Sequence, residues 1–411
     1  MLSTIGVLGL IFAKISIANK SQRTFLEELF TLLPSMRGRF NFCNLARYST
    51  YNEVTFRRHY SKCFNWLDFN YTMIQLALEC TKSQVIVAID ASFISKAGKK
   101  TFGIDRFWSG CANATKRGLE ISTLALIEVA TRTAWTLDVT QTPAGLSGKE
   151  GQAGNYTRIN FYIEQILDCL HLLENVVYFV ADGYYAKVKM FNTMLAINKH
   201  LITKLRPDAN MKYQLDPTKK NHGNKKYGEK VNWKDLDLTK WIEVGPHPNQ
   251  KHIQIYTQEL YSVQFKVYLK VVVLWNTKKN KTVLLASTNV YQSALEIVEF
   301  YCLRFQIEFL FRDAKQFTGL THCQARDEQK LDFHFNMSLA AINLYHLEMK
   351  LNGQNNRSMN SFIRKEYNTR LVRLLFNQLN SEAELGEFLD IQHPLVEKII
   401  NLGQVTYKKT G

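Results

Sequence analysis

Three things are scarce in this 411-residue chain. Its seven cysteines, Cys43, Cys63, Cys80, Cys111, Cys169, Cys302 and Cys323, are scattered and odd in number. None stands at CxxC spacing, which argues against paired-cysteine zinc and dithiol redox sites and suits a reducing, cytoplasmic compartment. Long hydrophobic runs are missing too. The apolar stretch IGVLGLIFAKISIA near the N-terminus is interrupted by Lys14, is short for a bilayer, and has neither a basic leader nor a small-residue cleavage site, so it reads as a packing helix. Acids are outnumbered, 36 Asp and Glu against 52 Lys and Arg, for a formal charge of +16. That excess points to a polyanionic partner, nucleic acid first and an acidic membrane surface second. No single amphipathic helix gathers the cations, so no membrane partner is expected. His322 and Cys323 lack a second pair at metal-ligand spacing, and Gly98, Gly103 and Gly110 form no phosphate loop.

What the chain does have is core material: 46% of residues are hydrophobic and 12% aromatic, enough for two or three domains. From Met1 to about Cys80 the pattern is helical. NFCNLARYSTYNEVTFRRHYSKCFNW fits two helices and a short turn, the second carrying Arg57, Arg58, His59 and Lys62, which suits either a DNA-reading helix-turn-helix or a plain bundle with a basic face. QVIVAID then reads as a short strand buried on both faces and ending at Asp90. GLEISTLALIEVATRTAWTLDVTQTP supplies two more strands with a turn near Ala130 to Thr133; NFYIEQILDCLHLLEN is helical, VVYFVAD is a second buried strand ending at Asp182, VKMFNTMLAIN is helical and HLITKL is a strand. This β-β-β-α-β-α-β order predicts an α/β fold with a ribonuclease H-like core, a mixed five-stranded sheet flanked by helices in which strands one and four are neighbours. Residues 206–244 are rich in lysine and turn formers, and HIQIYTQEL, QFKVYLKVVVLWN and TVLLASTN are β-formers. A long helix is expected from Gln292 to Phe317 and another from Glu328 to Leu351. The expected division is a helical N-terminal region (1–80), the first part of the core (81–205), a β-rich insertion (206–290), core helices (291–351) and a helical tail (352–411).

An ionised carboxylate at the edge of an apolar sheet is costly unless a cation pairs with it. Asp90 and Asp182 both face that cost, and neighbouring strands would bring them side by side; the plainer reading is that each caps a turn or helix. A third acid is offered by YCLRFQIEFLFRDAK. At about 100° per residue, Arg304, Glu308 and Lys315 fall within roughly 60° of Tyr301, whereas Asp313, Glu296 and Glu299 point elsewhere. A solvated helix face would explain the charges but not their common stripe with a tyrosine. Three carboxylates are the hard-oxygen donors that two Mg²⁺ ions, or Mn²⁺ in their place, require for phosphodiester chemistry.

The spacing Y-x2-R-x3-E-x6-K, here Tyr301, Arg304, Glu308 and Lys315, resembles the YREK signature of insertion-sequence DDE transposases, the cut-and-paste family whose ribonuclease H-like core carries a β-rich insertion before the glutamate. Asp90 within AIDAS and Asp182 within VADGYYA are similar to the family's first and second acids, and the likeness covers about Ser83 to Leu351. It implies that Asp90, Asp182 and Glu308 are catalytic and hold two Mg²⁺ ions, that Tyr301, Arg304 and Lys315 contact DNA, and that a homodimer joins two double-stranded transposon ends before strand transfer into target DNA. It also implies an aromatic residue for a flipped base, for which Trp233, Trp241 and Trp275 are candidates beside a core role. Lys219, Lys220, Lys225, Lys226 and Lys230 suit phosphate contacts or a solvated loop. Two rivals stand alongside: a transposase-derived DNA-binding protein without catalysis, and another ribonuclease H-like nuclease.

Overall fold

Apolar, β-branched segments organise the molecule around one sheet. The computed structural model describes residues 2–16, 18–79, 83–146, 156–215, 226–354 and 357–376, together with Glu397 and Ile400. The strands are β1 (Val85–Ser95), β2 (Asp105–Ser109), β3 (Ala114–Glu128), β4 (Thr133–Gln141), β5 (Tyr178–Ala181), β6 (His200–Lys204), β7 (Met211–Lys212), β8 (Ile242–His247), β9 (Gln250–Ser262), β10 (Val267–Asn276) and β11 (Lys281–Ser287). All belong to a single mixed sheet. Its path runs β2-β3-β1-β5-β6-β11-β10-β9-β7, with β4 also on β3 and β8 on β9. β1 is antiparallel to β3 and parallel to β5, and β5 is parallel to β6. The subset β4-β3-β1-β5-β6, a meander with neighbouring parallel strands, is consistent with the expected ribonuclease H-like order.

One expectation about the sheet needs correction. β1 does not stop at Asp90 but continues to Ser95, because its second half pairs with Gly118 to Thr123 of the long β3. Gly118 permits that approach: a Cβ there would lie 2.5 Å from the Ile94 carbonyl oxygen. The β-rich segment shares the core sheet: β11 pairs with β6 through Leu285 opposite Lys204, and β10 and β9 continue it outward. Three strands, β2, β7 and β8, had no counterpart among the expected segments.

Helices α1 (Thr4–Lys14), α2 (Lys20–Leu32), α3 (Phe42–Tyr48), α4 (Glu53–His59) and α5 (Trp66–Glu79) precede the sheet. α1 buries Val7, Leu8, Ile11 and Phe12, in keeping with a packing helix, and among the described residues no helix is long and apolar enough to cross a membrane. α3 and α4 are two helices in hairpin sequence, but His59 is buried and stacked on Phe25 at 4.1 Å, Arg57 pairs with Glu53, and Lys62 lies past the helix end. α6 (Arg158–Asp168) and α7 (Val188–Ala196) link the parallel strands.

The last helices are α8 (Ala294–Leu303), α9 (Phe305–Phe317), α10 (Glu328–Leu351) and α11 (Met359–Phe376). The single helix expected over Gln292 to Phe317 is thus two, divided at Arg304, whose side chain turns inward and is only 7% exposed. The chain turns away from α9 at Gly319, held at φ +71, where a Cβ would come within 2.4 Å of the Phe40 ring. α10 is capped by Asp327 and buried along nearly its whole length. Asn343 anchors it, accepting from the Thr136 amide (2.9 Å) and donating to the Thr136 carbonyl (2.7 Å) and to Asn70 (3.2 Å). Replacing Asn343 with leucine would leave those buried groups unpaired, a cost of about 1–3 kcal/mol. Lys219, Lys220 and Lys225, and nearly all of the expected C-terminal tail beyond Phe376, lie outside the described residues.

Candidate active site

The parallel pairing of β1 with β5 sets Ile89 opposite Ala181, so Asp90 and Asp182 are the next residues along adjacent strands. Their surroundings differ. Asp90 sits mid-strand, its Oδ1 accepting from the Ala91 amide at 2.9 Å. Asp182 leaves β5 and caps a one-turn helix, its Oδ1 accepting from the Tyr184 amide at 2.8 Å while its backbone carbonyl accepts from Thr203 at 2.9 Å. The capping role weighed for such an aspartate is therefore real at Asp182, and compatible with a second role for the free oxygen.

α8 and α9 bring the cations and the third acid. Arg304 Nη2 donates to Glu308 Oε1 at 2.9 Å and Nη1 to Asp90 Oδ2 at 3.4 Å. Its guanidinium lies 4.6 Å above the Phe305 ring and 5.7 Å from that of Tyr301. Arg304 Nε is buried with no partner. Lys315 Nζ donates to Ser92 Oγ at 2.8 Å, on the same face of β1 as Asp90 two residues earlier. The chain thus brings Asp90, Arg304 and Glu308 into direct contact, places Asp182 within their electrostatic reach, and sets Lys315 one β-strand step away.

The electrostatics report an excess of acid. Burial, then repulsion from Asp182, pushes the Asp90 carboxyl up to about 7, despite Arg304 pulling the other way. Burial opposes the charge on Arg304, but Asp90, Tyr301, Glu308 and Asp182 outweigh it and hold its pKa above the usual value. Burial lowers Lys315 and raises Tyr301. Tyr185, fully enclosed and with an unpartnered hydroxyl, also feels Asp90 and Asp182 and is pushed well up by burial.

Carboxylate oxygens in a site short of positive charge suit a hard divalent cation. Among the described residues, however, no three His, Cys, Asp or Glu side chains already stand close enough together to hold a metal ion. Asp90 and Glu308 meet at Arg304 instead, so Glu308 would exchange that guanidinium for a metal. Ser92 and Tyr185 went unnoticed in the sequence; Ser92 was findable by its period of two from Asp90, Tyr185 only through packing. So was Trp108, 54% exposed on β2 beside the exposed Arg106, Lys116 and Arg117 of the β2–β3 hairpin. By contrast Trp241 is buried, Trp233 donates to the Ala209 carbonyl at 2.6 Å, and Trp275 donates to Asn280 at 3.2 Å while packing against the core.

A mixed eleven-stranded sheet with helices, and aspartates on adjacent parallel strands, is consistent with a ribonuclease H-like transposase fold. Residues 157–344 match the family model of the transposase DDE domain, which supports a DDE transposase family. Asp182, Tyr301, Arg304, Glu308 and Lys315 lie inside the matched span and Asp90 precedes it. No curated protein matches the chain.

Proposed function

We propose that the protein is a DNA transposase of the YREK-signature insertion-sequence type, cutting the ends of its element to expose a 3′-OH and joining that hydroxyl to target DNA. The reading rests on the DDE-domain match combined with the meeting of Asp90, Arg304 and Glu308 from separate chain segments. Asp90, Asp182 and Glu308 are the residues that would hold Mg²⁺ or Mn²⁺. Bound there, such ions supply activation of the attacking oxygen and stabilisation of the leaving one. Tyr301, Arg304 and Lys315 grip DNA phosphates beside the scissile bond, Lys315 being steered by Ser92. The exposed cations Arg106, Lys116 and Arg117 extend this basic surface along the hairpin that continues from β1, and Trp108 offers a ring for base stacking. Two protomers, each bound to one element end, form the working assembly.

The test is divalent-metal-dependent cleavage of a duplex carrying the terminal repeat found beside the gene. Asp90→Asn, Asp182→Asn and Glu308→Gln are each expected to lower cleavage by roughly 10³-fold or more, several kcal/mol of transition-state stabilisation, while end binding persists. Wild-type cleavage by any one of them removes that residue from the catalytic set.

A further inference from the structure

A cavity of about 370 Å³ lies between the β3–β4 turn, α9 and the α10–α11 connection. Its strand end is the Glu128–Val85 end of the sheet, five residues or roughly 16 Å along β1 from Asp90. On α9 it is lined by Gln306, Phe309, Leu310, Arg312 and Asp313, of which Gln306, Leu310 and Asp313 point to roughly the opposite side from Glu308.

Three buried polar atoms on its wall have no partner: Trp135 Nε1, His346 Nδ1 and an Arg357 terminal nitrogen. Buried polar atoms are nearly always satisfied, so three around one space call for an occupant. The tryptophan and arginine atoms can only donate. Burial pushes His346 down to about 4, so near neutral pH it is an uncharged ring with one donor and one acceptor nitrogen. The occupant must therefore be rich in acceptors.

Its charge follows from the surrounding cations. Lys350 is committed to Glu128 at 2.8 Å and Arg312 to Asp313 at 3.0 Å. Arg132, fixed at φ +55 in the β3–β4 turn, and Arg357 add two further cations to the lining, against Asp313 as its one acid. They leave the cavity positive. At its edge Phe309 is 44% exposed with the Arg312 guanidinium 4.7 Å above its ring, a surface on which a flat base can stack. The volume lies at the small end of ligand pockets, about 300–1,000 Å³, adequate for one nucleotide.

We propose that this cavity binds a phosphate-bearing nucleotide, its phosphate facing Arg132 and Arg357 and its base on Phe309, independently of the acidic site. Calorimetric titration of the full chain with deoxyadenosine monophosphate tests it, with deoxyadenosine and a short single-stranded oligonucleotide as comparison ligands. Saturable binding of the monophosphate is expected, with at least tenfold weaker binding of the unphosphorylated nucleoside. Arg132→Gln and Arg357→Gln should each weaken monophosphate binding by about tenfold, the loss of one charge-assisted contact. Both substitutions sit at the cavity edge, so they report even if a Trp135→Phe variant folds poorly. Equal losses with the oligonucleotide identify the ligand as a nucleotide of a DNA strand; losses confined to the monophosphate identify a free nucleotide. Absence of saturable monophosphate binding, or binding that both arginine variants leave unchanged, overturns the assignment and leaves a water-filled cavity.

Discussion

Lys350 and Arg304 are both buried cations, each with 7% of its side chain exposed, yet the acids around them differ in number. Lys350 meets the fully buried Glu128 at 2.8 Å, and Thr131 donates to the same carboxylate at 2.8 Å. One charge answers one charge. Arg304 contacts both Asp90 and Glu308 and lies in the field of Asp182, and Asp90 is still pushed up to about 7. The first arrangement holds β3 to α10. The second is under-neutralised, and strain of that kind is kept where a site must accept further positive charge.

The contrast can be broken first at the closed pair. Lys350→Met strands Glu128 without a countercharge and should cost about 3–5 kcal/mol of stability in denaturant unfolding, much of it recovered in the Lys350→Met, Glu128→Gln double variant. A loss below about 1 kcal/mol would show that the pair is not closed. The open site should respond to pH. Asp90 titrates near 3.8 when unfolded and about 7 when folded, so the folded chain keeps a proton that the unfolded chain releases. Its ionisation therefore erodes stability as pH rises from 3.8 to about 7, and the loss levels off above that. In metal-free protein, Asp90→Asn should accordingly gain stability relative to wild type across this interval, on the order of 2–4 kcal/mol at most, read from thermal melts. A pH-independent difference would contradict the raised carboxyl. The smallest effect is expected at Lys315→Ala, which should reduce the slope of log affinity for the element's end against log salt by about one. An unchanged slope would take Lys315 off the DNA.

How much of this was legible beforehand depends on whether the signal was local. The β-branched runs before Asp90 and Asp182 marked their strands, and the stripe of Tyr301, Arg304, Glu308 and Lys315 singled out one acid among several on the same segment. Periodicity could not show the division at Arg304, because the apolar spacing continues unbroken, while the partner of Arg304, Asp90, lies more than two hundred residues away. The joining of β11 to β6 was hidden for the same reason: alternation identifies strands but not their partners. β8, with IEVGPH largely exposed, offered neither an apolar run nor clean alternation. Trp135, His346 and Arg357 come from three distant segments, so the cavity they share had no trace in the sequence.

The central claim is that Asp90, Asp182 and Glu308 jointly take divalent cations once Arg304 gives way. Counting Mn²⁺ ions bound to the protein on a duplex carrying the element's end, by electron paramagnetic resonance, tests this most directly. Two ions are predicted for the wild type, and Asp90→Asn, Asp182→Asn and Glu308→Gln should each lose at least one; undiminished binding in all three would contradict it.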